Sequence, residues 1–188
     1  AMGILAGDAL LNYAYETAAR AFAMEPGNPG VCQAFQILTA KAGIYGMVGG
    51  QTVDVQYTDK PMEKEVLQFV HELKTGALIQ AAMMMGAVLA GASEEEVGKI
   101  EEVALMVGMA FQIQDDILDV TSTTEVLGKP VLSDEKNHKV TYVTLYGLEE
   151  AKRQVKEYSD RAAELLEGLN RKNEFLHELL MSLIYREK

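Results

Sequence analysis

Three carboxylates stand close together in the run FQIQDDILD, residues 111–119: Asp115, Asp116 and Asp119. At about 100° of rotation per residue on an α-helix, Gln112 and these aspartates fall within an arc of roughly 100°, while Phe111, Ile113 and Leu118 turn elsewhere. Like charges on one helical stripe repel, and aspartate is a poor helix former, so the arrangement is costly unless a cation or a cap offsets it. A divalent cation suits these donors. Oxygen ligands without His or Cys favour a hard ion, and Mg²⁺ takes one or two protein carboxylates and completes its shell with water and phosphate oxygens. The chemistry implied is that of a phosphate ester or diphosphate. A bare DDxxD reads equally well as a solvated helix face. The apolar approach from Val103 to Phe111 favours a mostly buried helix, on which charges need partners. His71, His138, His177 and Cys32 show no metal-ligand spacing among themselves and are assigned no role.

The elements that must position this stripe are helical. Residues 1–24 carry apolar side chains at helical spacing, PGNPG at 26–30 breaks the pattern, and Val31–Val48 resumes it. The Gly-rich GMVGGQTVDVQY at 46–57 reads as a helix end and loop, since its brief alternation finds no partner strand. Pro61 is expected in the first turn of a long helical stretch reaching about Gly91. Ser93 with Glu96 forms a capping-box pattern that starts the helix bearing the aspartates, which runs towards Val120. Residues 121–138 are rich in turn formers and read as a loop. Val140–Tyr146 is β-branched, helix returns from Leu148, and a last amphipathic helix covers about 175–185. The expectation is a single all-α domain over 1–188, a bundle of mostly antiparallel helices with a methionine-rich core.

Composition narrows the partners. With 48% hydrophobic residues the chain can bury a core, and 17 Lys plus Arg against 28 Asp plus Glu give a charge of -11, which argues against nucleic acid and anionic membrane surfaces. An anionic ligand therefore needs cations supplied locally. Gly76–Ala92 falls short of the ~20 apolar residues of a membrane span and reads as a core helix. The single Cys32 cannot form an internal disulfide and no charged-then-apolar leader opens the sequence, so the expected location is the cytoplasm.

The run from Phe111 to Leu145, FQIQDDILDVTSTTEVLGKPVLSDEKNHKVTYVTL, resembles the second aspartate-rich region of trans-isoprenyl diphosphate synthases. LAGDALL at 5–11, GGQTVD at 49–54 and KTG at 74–76 match further signatures of that family in order, so the resemblance covers nearly the whole chain and is strongest to bacterial farnesyl diphosphate synthases. It implies an isoprenoid-synthase-type bundle truncated on its N-terminal side, a homodimer, and dependence on Mg²⁺. The implied reaction ionises an allylic diphosphate, dimethylallyl or geranyl, between two aspartate-rich helices. Isopentenyl diphosphate then attacks, giving trans-farnesyl diphosphate and releasing diphosphate.

By match to the family pattern, Asp115 is a direct Mg²⁺ ligand, with Asp116 and Asp119 as ligands or water-mediated supports. Lys74, Lys129 and Lys139 grip the allylic diphosphate. Thr75 and Gln112 face the cationic carbon, the former from a local helix distortion at Lys74–Gly76. Gln51 and Asp54 support the metal site. Taken singly, the lysines read as solvated, Thr75 as bonded back to its own helix, and Gln112 as a core-boundary polar residue. Arg186 resembles the basic terminal residues that some members fold over substrate, and reads otherwise as a frayed terminus.

An earlier aspartate-rich motif and the isopentenyl diphosphate site do not occur in these 188 residues. The expectations that follow are inactivity of this chain alone and apolar helix faces left exposed. Product length is set in the family just before that earlier motif, so geranylgeranyl diphosphate stands beside farnesyl diphosphate. Three other classes compete. A terpene cyclase mixes Asn, Ser or Thr, and Glu in its second metal motif; a non-catalytic subunit of a heteromeric prenyltransferase tends to lose the metal ligands; a helical interaction domain binds no diphosphate.

Overall fold

A computed structural model of the chain describes residues 1–123 and 139–186, and every regular element among them is helical. The all-α expectation holds. In chain order the helices are α1 (Met2–Ala19), α2 (Ala21–Met24), α3 (Pro29–Ala42), α4 (Met47–Gln56) and α5 (Lys64–His71), which runs into a π-helical segment, Glu72–Gly76. Then follow α6 (Ala77–Leu89), α7 (Glu94–Thr121), α8 (Tyr142–Tyr146), α9 (Leu148–Glu167) and α10 (Glu174–Ile184). No described helix is long and apolar enough to cross a membrane.

The central element is α7. Ser93 accepts the Glu96 backbone N–H at 3.3 Å while the Glu96 carboxylate accepts the Ser93 N–H at 2.9 Å, and Glu94, Glu95 and Glu96 complement the positive helix end. Beyond this cap α7 presents Val103, Val107, Ile113 and Ile117 to Ala151, Val155 and Ala162 of α9 and to Leu180 and Ile184 of α10. A smaller apolar cluster joins Met84 and Val88 of α6 to Val97. At the other extreme α1 buries none of its residues, and Met2, Ile4, Leu5 and Leu10 are exposed.

Three expectations drawn from local pattern need correction. Within residues 46–57, Met47–Gln56 forms a helix, α4, where a helix end and loop were expected. Its glycines serve contact: a Cβ on Gly50 would collide with the backbone nitrogen of Lys74 and lie 2.7 Å from Cβ of Leu73. Tertiary packing against the π segment outweighs the low helix propensity of the Gly pair. The apolar pattern of Val31–Val48 is split, because α3 stops at Ala42 and α4 starts at Met47. Pro61 lies ahead of α5 instead of inside its first turn. Met62 is buried and Glu63 is extended (φ -80°, ψ 160°) at the N-cap, so the chain is anchored before it starts to coil.

The β-branched stretch before α9 becomes the single-turn helix α8. Thr141 Oγ1 accepts the Thr144 N–H at 3.2 Å and Thr144 Oγ1 accepts the Thr141 N–H at 2.9 Å. The π segment is where the local distortion was expected. It is held from a second side by α7, where a Cβ on Gly108 would come within 2.8 Å of the Gly76 Cα.

That contact gives a contrast inside one helix. Gly108→Ala should cost about 1–3 kcal/mol because backbone must move. Gly98→Ala, also in α7 but with nothing within 4 Å of its added Cβ, should be stabilising by about 0.5–1 kcal/mol. Urea denaturation of both variants checks this, and equal effects would remove the close-approach argument.

Candidate active site

Five segments meet at a small polar cavity of about 80 Å³. Asp54 comes from the last turns of α4, His71 from the end of α5, and Lys74 from the π segment. Gln112, Asp115 and Asp116 come from α7, and Lys139 and Thr141 from the extended stretch before α8. Three residues of the helical stripe read from sequence, Gln112, Asp115 and Asp116, therefore face a common space with two of the three lysines. Lys129 lies outside the described residues.

Asp54 is the meeting point of the cations. Its Oδ2 lies 2.6 Å from Lys74 Nζ and 3.8 Å from Lys139 Nζ. Side chains from α4, the π segment and the stretch before α8 are thus drawn together through one carboxylate oxygen. The pair with Lys74 is partly buried, so solvent screens it less than a surface pair.

The three aspartates of α7 are met differently. Asp115, the most open at 35% side-chain exposure, receives Arg186 Nη2 on its Oδ1 at 2.8 Å. The same guanidinium carbon stacks 3.7 Å from the Phe111 ring centroid, and Gln114 donates to the Arg186 carbonyl at 3.4 Å. Arg186 is therefore docked on α7, against the frayed-terminus reading. Asp116 is 12% exposed and its Oδ2 accepts the backbone N–H of Tyr142, the first residue of α8, at 2.7 Å. Asp119, one turn further along α7, is 2% exposed and does not line the cavity.

Two other expected residues stand apart from the cavity. Thr75 is half-buried in the π segment but does not line it. Gln51 is exposed on α4 and borders a different, mostly apolar hollow with Met47, Val48 and Val55.

His71 is the residue that sequence reasoning missed. Its ring is buried, with Nε2 3.9 Å from Asp116 Oδ2 and Nδ1 without a hydrogen-bond partner among the described residues. Burial first, and then the Lys74 ammonium, push its pKa down from 6.5 to about 4, against the opposing pull of Asp54 and Asp115. The imidazole is neutral at physiological pH. A signal was available: His71 precedes Lys74 by three residues, which on a helix puts both on neighbouring positions of one face.

The donor set fits Mg²⁺. Carboxylate oxygens on one helix are hard ligands, and the neighbouring cations are placed for the oxygens of a metal-bound anion. Among the described residues no group of three His, Cys, Asp or Glu side chains is gathered around a single point. Mg²⁺ does not require one, since it commonly uses one or two carboxylates and fills the rest of its shell with water and phosphate oxygens. Asp115 and Asp116 are the donors facing the cavity.

Known proteins share both this sequence pattern and this fold. The family profile described as polyprenyl synthetase matches residues 1–178. The chain is 35% identical over 179 residues to farnesyl diphosphate synthase of Bacillus subtilis, covering 95% of this chain and 60% of that protein. It is 41% identical over 164 residues to geranylgeranyl diphosphate synthase of Cyanophora paradoxa, covering 87% of this chain and 54% of the relative. Among solved structures, a geranyltransferase of Helicobacter pylori complexed with magnesium and isoprenyl diphosphate superimposes with a TM-score of 0.81 at 34% identity, covering 96% of this chain and 58% of that one. The chain spans about half to three-fifths of the length of these relatives.

The Lys74–Asp54 contact can be weighed directly. A double-mutant cycle with Lys74→Met and Asp54→Asn should give a coupling of about 1–3 kcal/mol in the metal-free protein. The exposed Lys99–Glu95 pair on α7 should couple far more weakly. Equal coupling in the two pairs would mean that the cavity lends Asp54 no special hold on its lysine.

Proposed function

This chain belongs to the polyprenyl synthetase family, and on that premise we propose that it serves trans-prenyl diphosphate synthesis. In that reaction the C–O bond of an allylic diphosphate breaks, isopentenyl diphosphate adds to the allylic carbon, and a proton leaves the adduct as the new double bond forms. The observation that carries this reading is the convergence of Lys74 and Lys139 on one oxygen of Asp54 beside the carboxylates of α7. Two ammonium groups held on one carboxylate oxygen are already arranged to receive a diphosphate oxygen in its place, with hard oxygen donors alongside for the metal.

Mg²⁺, held by Asp115 and Asp116 with Asp119 in support, would supply electrophilic stabilisation of the departing diphosphate. The work of the chain's own residues follows from their placement. Lys74 and Lys139, with Lys129 assigned by resemblance, bind the allylic diphosphate and offset the charge that grows on it as the bond breaks. Arg186, which holds Asp115 Oδ1, would pair with another anion where Asp115 serves as a metal ligand. Gln112, which lines the cavity, stabilises the cationic form of the allylic carbon, with Asp54 supporting from α4; the Thr75 hydroxyl and Gln51, which stand apart from the cavity, are assigned the same tasks by resemblance alone.

The substrates are dimethylallyl or geranyl diphosphate with isopentenyl diphosphate, and the product assigned is farnesyl diphosphate. A second product has a specific observation behind it. Geranylgeranyl diphosphate synthases of Cyanophora paradoxa and Arabidopsis thaliana are 41% and 40% identical to this chain, no less than the farnesyl diphosphate synthases.

The test, in a parent protein that carries both aspartate-rich motifs, is incorporation of labelled isopentenyl diphosphate with allylic partners of increasing length, followed by chromatography of the products. Magnesium-dependent formation of the 15-carbon diphosphate is expected, abolished by EDTA and restored by Mg²⁺. Asp115→Ala should lower kcat by about 10²–10³-fold. Transfer that persists in EDTA would refute the metal-assisted reading, and a 20-carbon end product would replace farnesyl by geranylgeranyl diphosphate.

A further inference from the structure

His71 is the one buried titratable side chain described at the cavity that the proposed mechanism does not use. Its position is unusual in two respects. The ring stands at the junction of α5 and the π segment, three residues before Lys74, and it is 5% exposed. One nitrogen, Nε2, faces Asp116 Oδ2 at 3.9 Å, and the other, Nδ1, is buried without a hydrogen-bond partner among the described residues.

Those facts select a tautomer. A proton on Nδ1 would leave a buried N–H donor orphaned and would turn the Nε2 lone pair towards a carboxylate. A proton on Nε2 points a donor at Asp116 and leaves only an acceptor lone pair unsatisfied, which is the cheaper defect. The oxygen that Nε2 faces is the same one that accepts the Tyr142 N–H, so α5 and α8 address one carboxylate oxygen from two elements. At 3.9 Å the imidazole is beyond direct hydrogen-bonding reach, and a movement of about 1 Å closes the gap.

We propose that His71 is a positioning residue for Asp116: its buried ring presents Nε2–H to the carboxylate oxygen already held by Tyr142, turning the other oxygen towards the cavity. Ligand-orienting partners of this kind characteristically change metal affinity by about 10–100-fold when removed. The proposal rests on the reading of Asp116 as a magnesium ligand, while the tautomer it requires is a property of the metal-free protein.

Two measurements keep those apart. Long-range ¹H–¹⁵N NMR of the metal-free protein reports which ring nitrogen carries the proton, and Nε2–H is expected; a proton on Nδ1 overturns the proposal whatever the metal does. Calorimetric titration with Mg²⁺ in the presence of inorganic diphosphate then compares three variants. His71→Leu, which removes both nitrogens, should weaken Mg²⁺ binding by about tenfold or more. His71→Asn, whose amide reaches only the Nδ1 position, should do the same, and His71→Gln, whose amide nitrogen reaches the Nε2 position, should stay within about threefold of the parent.

The metal-free melting temperature separates positioning from packing. Replacing a buried, half-satisfied imidazole by leucine should leave the metal-free melting temperature unchanged or raised even as Mg²⁺ affinity falls. Equal weakening by His71→Leu and His71→Gln, or unchanged affinity in His71→Leu, overturns the assignment. A parent protein that shows Nε2–H but binds no Mg²⁺ with diphosphate refutes the metal role of Asp116, and with it the positioning role of His71.

Discussion

The approach of three backbones to one another, with no side chain between them, underlies the arrangement of the site. The π segment at Glu72–Gly76 is met by α4 at Gly50 and by α7 at Gly108, and a single added carbon at either glycine would run into its backbone. Contacts between backbones cannot be relieved by changing rotamers, so they set the spacing of the elements more tightly than side-chain packing does. Asp54, His71, Lys74 and the aspartates of α7 all project from these closely held segments. Their mutual distances follow from that constraint, and a π turn, with its wider register, is a form often found where a helix must offer groups at a functional site.

Charge is managed locally in a chain that carries a net -11. Each carboxylate described at the cavity meets a different kind of partner: ammonium groups at Asp54, a guanidinium at Asp115, a backbone amide at Asp116. Carboxylates withdrawn from water need such partners. His71 stands buried beside this set, its Nε2 3.9 Å from Asp116 Oδ2.

Much of this was legible in the residues themselves. The capping box at Ser93 and Glu96, the apolar stripe of α7, the aspartate spacing and the charged exterior of α9 are local patterns, in which each residue's partner lies three or four positions away and helical geometry alone brings them together. The break at PGNPG is equally local: Asn28 caps α3 by accepting the Gly30 N–H, and Pro29 occupies the first helical position. The family resemblance added roles to residues that composition would have left on the surface, because the order of several motifs carries information that none of them holds singly.

What only the tertiary structure decided were the features whose partners are distant in sequence. Helix formation at 47–56 depends on a surface offered by residues 72–76, and glycines that weaken an isolated helix become the reason two helices can touch. Arg186 finds Asp115 across 71 positions, and Tyr142 finds Asp116 across 26. His71, with no ligand spacing around it, gained its significance from burial beside a carboxylate on another helix. Helical periodicity and oxygen-donor chemistry are short-range, so the residues alone specified an all-α chain with a stripe of carboxylates on one helix. Which cations face that stripe, and which neutral group stands behind it, depended on long-range packing that no local pattern encodes.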